Sequence, residues 1–342
     1  MTDKTIFISA DHGLSVVYFL QTGVLPELLE SGARIVLLTD DGLKEQIERR
    51  FGQPNLIVEG LRFKQCKQYF ETSSHSLQHW VHFLRWMGGS NRINTNAMDG
   101  HLRQMGYEAS PRGKRIMPLI RALTFTLRRS RLARRTLVDL QRRFTPNIYP
   151  DLFEKYHPSL VVASTPGWRW DRYLLREAAA RGINTAAAIV GWDNPSSYRL
   201  PGAPVNWINC WSEIQKDELV RGSDWSPERV NIGGIPSYDG YFQRTWLMPK
   251  EEYYALHGLD PNRKLLAFAC SFITFSPNYA NIKALAELVN TDALGEPCQL
   301  LIRLHPNHFM PGSLYEGEAQ RVRALIKDMP HVHLVEPVPL GG

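Results

Sequence analysis

The sequence predicts an α/β fold in two domains, each built on a parallel sheet. Three observations carry that reading. Short apolar strands alternate with amphipathic helices from residue 4 to about 60, and again from 159 to about 240. A stretch with helical but no strand patterning, about 62–150, interrupts the rhythm. After a helix and a turn rich in breakers at 248–264, a second alternation begins. The chain of 342 residues is long enough for two hydrophobic cores. The expected division is 1–245, carrying a helical insertion at about 62–150, and 246–342.

The elements follow in order. "KTIFISA" (4–10) is a strand. After Asp11-His12-Gly13, a single helix is expected over 15–30, with Val16, Leu20, Val24 and Leu28 on one face and Ser31-Gly32 as its stop. "ARIVLLT" (33–39) is the second strand, Asp40-Asp41-Gly42 opens another helix, and "PNLIVEGL" (54–61) is a third strand. In the insertion, "SLQHWVHFLRWM" (76–87) reads as a helix and "GGSNRINTNAMDG" (88–100) as a loop. Ile116, Ile120, Leu123 and Leu127, then Ala133, Leu137, Leu140 and Phe144, fall at helical spacing, so two amphipathic helices or one long one fit 112–144. Strands are expected at 159–164, 184–190, 205–212 and 229–234, with helices at 172–182 and 213–222 between them. The second series has strands at 265–271, 299–304 and 331–337 and helices at 279–290 and 314–328. It stops after three strands, so a truncated second domain is expected.

Composition narrows the function class. Hydrophobic residues at 43% and charged residues at 22% describe a globular protein. No apolar run approaches the roughly 20 residues that span a bilayer. The first residues read as a strand rather than a signal peptide. Cys66, Cys210, Cys270 and Cys298 lack metal or disulfide spacing, so a reducing, cytoplasmic setting is expected. The net charge of +6 is localised: residues 112–143 hold eleven Lys/Arg and one acid, Asp139, leaving the rest of the chain at about −4 by subtraction. Three readings of this segment stay open. It is a solvated helix face, a nucleic-acid contact, or an Arg-rich surface lying on an anionic membrane. No recognised nucleic-acid motif accompanies it.

Ligands of open parallel sheets bind beyond the carboxyl ends of the strands. The strand ends here are Asp11-His12-Gly13, Asp40-Asp41, Thr165-Pro166-Gly167-Trp168, Gly191-Trp192-Asp193-Asn194, Gly234-Ile235-Pro236-Ser237, Ser271-Phe272 and His305-Pro306-Asn307. Ordinary turn chemistry also uses Gly, Pro, Asp and Asn. Two loops exceed it: Trp192 is costly in an exposed turn, and Arg303 with His305 on one strand face suits an anion. "CSFITFSPNY" and "GGIPSYD" place small and hydroxyl residues before helices, where phosphate could sit. No dinucleotide fingerprint, P-loop, nucleophile elbow or metal spacing is present.

The succession "NTAAAIVGWDN", "NCWSEIQKDEL", "SPERVNIGGIPSYDGYF", "LHGLDPNRKLLAFACS" and "LLIRLHPN", over about residues 150–310, resembles bacterial glycosyltransferases of the GT-B fold. Within them it is most similar to the group of CDP-glycerol glycerophosphotransferases and surface-polysaccharide enzymes. The resemblance implies two Rossmann-like domains facing across a cleft. It implies transfer of a sugar or polyol phosphate from a nucleotide-activated donor, used as substrate with no cofactor or metal, to a polysaccharide or lipid-linked acceptor. Asp193 or His12 would be the base, with Gly13, Trp168, Trp192 and Asn194 lining the acceptor side. His305 and Arg303 would stabilise the leaving group, with Gly234, Pro236, Ser237, Ser271, Phe272 and Asn307 beside the donor. A nucleotide-sugar 2-epimerase and a non-catalytic GT-B module in membrane-associated assembly are the alternatives.

Overall fold

The computed structural model describes residues 4–245, 247–270, 276–309, 312–313 and 315–336. The chain forms two compact units that divide after Gln243. Ten strands are described: β1 Thr5–Ala10, β2 Arg34–Thr39, β3 Leu56–Gly60, β4 Leu160–Ala163, β5 Asn184–Ala188, β6 Trp207–Cys210, β7 Val230–Ile232, β8 Lys264–Ala269, β9 Cys298–Arg303 and β10 Val332–Leu334.

The first unit holds a seven-stranded sheet in the order β3-β2-β1-β4-β5-β6-β7. Every pairing is parallel, with Ile6 opposite Ile35 on one side and Leu160 on the other. The strands are apolar on both faces because helices cover both. Phe7, Val36, Leu38 and Val161 pack against Tyr149, Leu152, Phe153 and Tyr173. On the other face Ile8, Ile35 and Leu37 pack against Tyr18, Phe19, Leu25 and Ile47. Each such side chain contributes roughly 1.5–3 kcal/mol on burial, and this two-sided burial is why the strands read as continuous apolar runs.

The expected helix 15–30 is two helices, Gly13–Leu20 and Val24–Glu30. Pro26 is the reason. Inside one continuous helix its ring would strike the carbonyl of Thr22, whereas in the first turn of a new helix its missing N–H costs nothing. Thr22 marks the break: its hydroxyl donates to the Tyr18 carbonyl and accepts the Val24 N–H. The expected loop at 88–100 is also corrected, since a helix begins at Asn96 and runs to Glu108. Asn94 accepts the Asn96 N–H and Thr95 donates to Asp99. Met98 and Leu102 are buried, with Met105 partly buried against them.

The basic segment forms Pro111–Arg129 and Arg131–Leu140 with Ser130 between them, capping the second by accepting the Ala133 N–H. Two of its cations are structural. Arg134 clamps Asp224 through two bonds of 2.6 and 2.8 Å and donates to the Leu127 carbonyl. Arg128 pairs with Asp99 and donates to the Met87 carbonyl. No helix among the described residues is long and apolar enough to cross a membrane.

The second unit carries a parallel sheet in the order β10-β9-β8. Helices Asn278–Asn290 and Glu318–Ile326 cover one face through Ile282, Ala286, Val289, Ala319 and Val322. Tyr254 and Leu259 pack on Leu301.

Candidate active site

In the first sheet the connections reverse direction between β1 and β4, so the loops leaving these neighbouring strands diverge and leave a crevice at their carboxyl ends. His12 begins the first helix there, its extended backbone accepting the Ser15 and Val16 N–H groups. The Ser15 hydroxyl accepts the His12 N–H in return.

Asp11 is buried and lies against that histidine. Its Oδ1 accepts from His12 Nδ1 at 2.6 Å and from the Ser164 hydroxyl at 3.0 Å, while Oδ2 accepts from Arg169 Nε at 2.8 Å. Burial alone would raise this carboxyl. The His12 hydrogen bond, the Arg169 charge and Ser164 outweigh it and leave Asp11 below the usual carboxylate range. An ionised carboxylate only accepts, so Nδ1 is the donor of this bond, and in the neutral ring Nε2 carries the lone pair. Part of the ring remains exposed.

A second carboxylate, Asp171, lies behind the first. It is fully buried, accepts from the Thr165 hydroxyl at 2.6 Å and from the Arg169 N–H at 3.3 Å, and opens the helix Asp171–Ala180. Burial and then the charge of Asp11 push its pKa up. The two neighbouring carboxyls thus have opposite tendencies, and Asp171, closed off from solvent, holds the loop 165–171 in place. Ser164, Arg169 and Asp171 were missing from the sequence-derived set. The available signal was the position of residues 164–171 at the end of the strand that neighbours β1 in a 3-2-1-4 order.

The loop 191–202 leaves β5 on the same edge and is held from several sides. Gln215 Nε2 donates to the carbonyls of Gly191 and Trp192. Trp86 donates to Ser197, Arg85 to Tyr198 and Leu200, and Arg176 to Gly202. Arg199, buried at φ 62°, donates to the Asn94 carbonyl. Trp192 is 74% exposed and offers a free aromatic face. Asp193 accepts from the Ser197 hydroxyl at 3.0 Å where the short helix Asn194–Tyr198 begins. Asn194 packs so closely on Gly191 that a Cβ there would lie 2.6 Å from its amide nitrogen. Trp168, by contrast, is in the core: only 4% exposed, it donates to the Leu200 carbonyl and stacks on Tyr198. It shapes the loop and offers no face to a ligand.

Gly13 is exposed at the first turn of the helix after His12, with open space around its Cα. Gly234, at φ 76°, follows β7, and Pro236 and Ser237 form the half-buried turn after it. In the second unit, Arg303 and His305 are exposed at the end of β9 with buried Leu304 between them. His305 Nδ1 accepts the Asn307 N–H at 3.2 Å, which leaves its Nε2–H free to donate. Ser271 and Phe272 lie outside the described residues.

No protein-family model and no curated protein matches the chain. Solved structures do match it. A structure described as a UDP-N-acetylglucosamine 2-epimerase from Listeria monocytogenes gives a TM-score of 0.50 at 10% identity, over 100% of this chain and 71% of that one. The UDP-GlcNAc 2-epimerase from Neisseria meningitidis bound to UDP-GlcNAc gives 0.48 at 13%, over 98% and 72%. A glycosyltransferase from Rickettsia africae gives 0.45 at 11%, over 98% and 68%. At these identities the likeness is one of fold, and it does not single out the CDP-glycerol group. The chain has the α/β GT-B fold.

Proposed function

We propose that the chain transfers a sugar or polyol phosphate from a nucleotide-activated donor to a polysaccharide or lipid-linked acceptor on the cytoplasmic side of a membrane. The observation that supports it best is the Asp11–His12 pair at the β1/β4 crevice, a histidine oriented by a buried carboxylate. His12 Nε2 takes the proton of the acceptor hydroxyl as its oxygen forms the new bond to the donor's reacting carbon or phosphorus. The bond to the departing nucleotide breaks, and its electron pair leaves on the phosphate oxygen. Asp11 stabilises the imidazolium so formed. In the second unit, Arg303 and His305 are the groups proposed to meet donor phosphate charge. Trp192 and Asn194 are proposed to contact the acceptor.

The helical segment 112–143 fits an anionic membrane surface in this reading. Ile116, Leu119 and Leu123 recur at spacings of three and four residues and are 44%, 62% and 41% exposed, beside exposed Arg112 and Arg115. Phe125 is exposed beneath the Arg129 guanidinium, 3.6 Å from the ring centroid.

Calorimetric titration with CDP-glycerol, UDP-GlcNAc and GDP-sugars tests the donor. Binding weakened at least tenfold by Arg303→Ala is expected, from loss of a charge-assisted bond of about 1.5–3 kcal/mol. Absence of binding to every donor would sink the reading. Conversion of UDP-GlcNAc without any acceptor would replace it with epimerisation.

A further inference from the structure

The first unit has a second concavity, against the basic helix Arg131–Leu140. A cavity of about 470 Å³ opens between the helix Arg131–Leu140 and the segments 200–206 and 223–229, which precede β6 and β7. That size admits a small organic ligand.

Its wall is rich in donors. Arg134, Arg135, Arg142 and Arg229 line it against only Asp139 and Asp224. Arg134 is committed to Asp224, and the Arg142–Asp139 pair at 3.4 Å is exposed and screened by solvent. Arg135 is exposed and has no hydrogen bond or carboxylate partner among the described residues. Arg229 stands over the Trp207 ring, 5.4 Å from its centroid.

Beneath this wall lie two unpaired buried donors. The Ser223 Oγ and Trp225 Nε1 atoms have no hydrogen-bond partner among the described residues, and both are closed off from the cavity, so they stiffen the wall rather than meet a ligand. A buried donor left unpaired costs about 1–3 kcal/mol. Asn206 accepts from Thr185 through Oδ1, which leaves its amide N–H groups available.

We infer that this cavity binds a phosphate ester. The phosphate oxygens accept from Arg135, Arg229 and the Asn206 amide N–H groups, and Val138, Leu200 and Pro204 line the space for the carbon skeleton. The same chemistry occurs in a soluble phosphate ester and in an anionic lipid headgroup. The cavity adjoins the basic helices, so either source can reach it. The inference does not depend on the transfer reading.

Titrations use glycerol 3-phosphate, with inorganic phosphate as the minimal probe. Flotation uses phosphatidylcholine vesicles with and without phosphatidylglycerol. The variants are Arg135→Ala with Arg229→Ala, Asn206→Ala, and Arg49→Ala as an exposed basic control outside the cavity and the basic helices. Each is checked by thermal melting. Glycerol 3-phosphate binding that weakens at least tenfold in the double variant and severalfold in Asn206→Ala, with Arg49→Ala unaffected, supports the site with a soluble ester. Vesicle retention that needs phosphatidylglycerol and falls in Asn206→Ala, which removes no charge, supports it with a headgroup. Binding to neither probe, or binding equally weakened by Arg49→Ala and untouched by Asn206→Ala, overturns it.

Discussion

At the scale of single residues, His12 and Asp193 are separated by what holds them. His12 is backed by a buried carboxylate, whereas Asp193 accepts a serine hydroxyl at the start of a short helix. Replacing His12 with Gln is expected to lower the transfer rate by about 10²- to 10⁴-fold with the melting temperature unchanged. Asp193→Asn keeps an acceptor for Ser197, so its loss is expected to stay within about fivefold, the worth of one hydrogen bond near 1 kcal/mol. Rate measurements on both variants decide between them. A dead Asp193→Asn enzyme beside an active His12→Gln one would exchange their roles.

At the scale of elements, the loop 191–202 owes its shape to close backbone approach. A Cβ on Gly202 would collide with the carbonyl oxygen of Gly167, itself at φ 81°. Gly202→Ala is expected to cost about 2–4 kcal/mol, read as a lower urea midpoint. That approach was invisible in the sequence, as was the buried role of Trp168, because both depend on residues distant in the chain. The strands were legible for the opposite reason. Runs such as "RIVLL" are buried on both faces and carry their own signal. Helix patterning was less reliable: the Pro26 break was passed over, and polar residues around Asn94–Asn96 masked the Met98, Leu102 and Met105 period. Of the hydrogen-bonded cluster at the β1/β4 crevice, only His12 and Asp11 were legible. Their partners Ser164, Arg169 and Asp171 come from the strand order, which local pattern does not specify.

At the scale of the whole molecule, buried cations of the first unit link stability to pH. Burial, and then the charges of Arg85, Arg172 and Arg176, push His82 down to about 2. Arg172 lies 3.3 Å from its Nδ1, where only the neutral ring can accept. The folded chain therefore leaves His82 neutral while the unfolded chain takes up a proton below about pH 6.5. Stability is lost as pH falls below that value, on the order of 1 kcal/mol by pH 5 after allowing for the ring's partial exposure. His82→Gln is expected to flatten that part of the melting-temperature profile. A variant as acid-sensitive as the parent would place the effect elsewhere. The pairing of Ile6 with Leu160 has a consequence for how the protein is made. During synthesis β1, β2 and β3 emerge first, and one flank of β1 stays open until a strand roughly 150 residues later arrives to close it. The crevice holding Asp11 and His12 is assembled by that same late closure. The nascent chain therefore carries an open strand edge through translation of the entire helical insertion, and gains its candidate chemistry only when that edge is sealed.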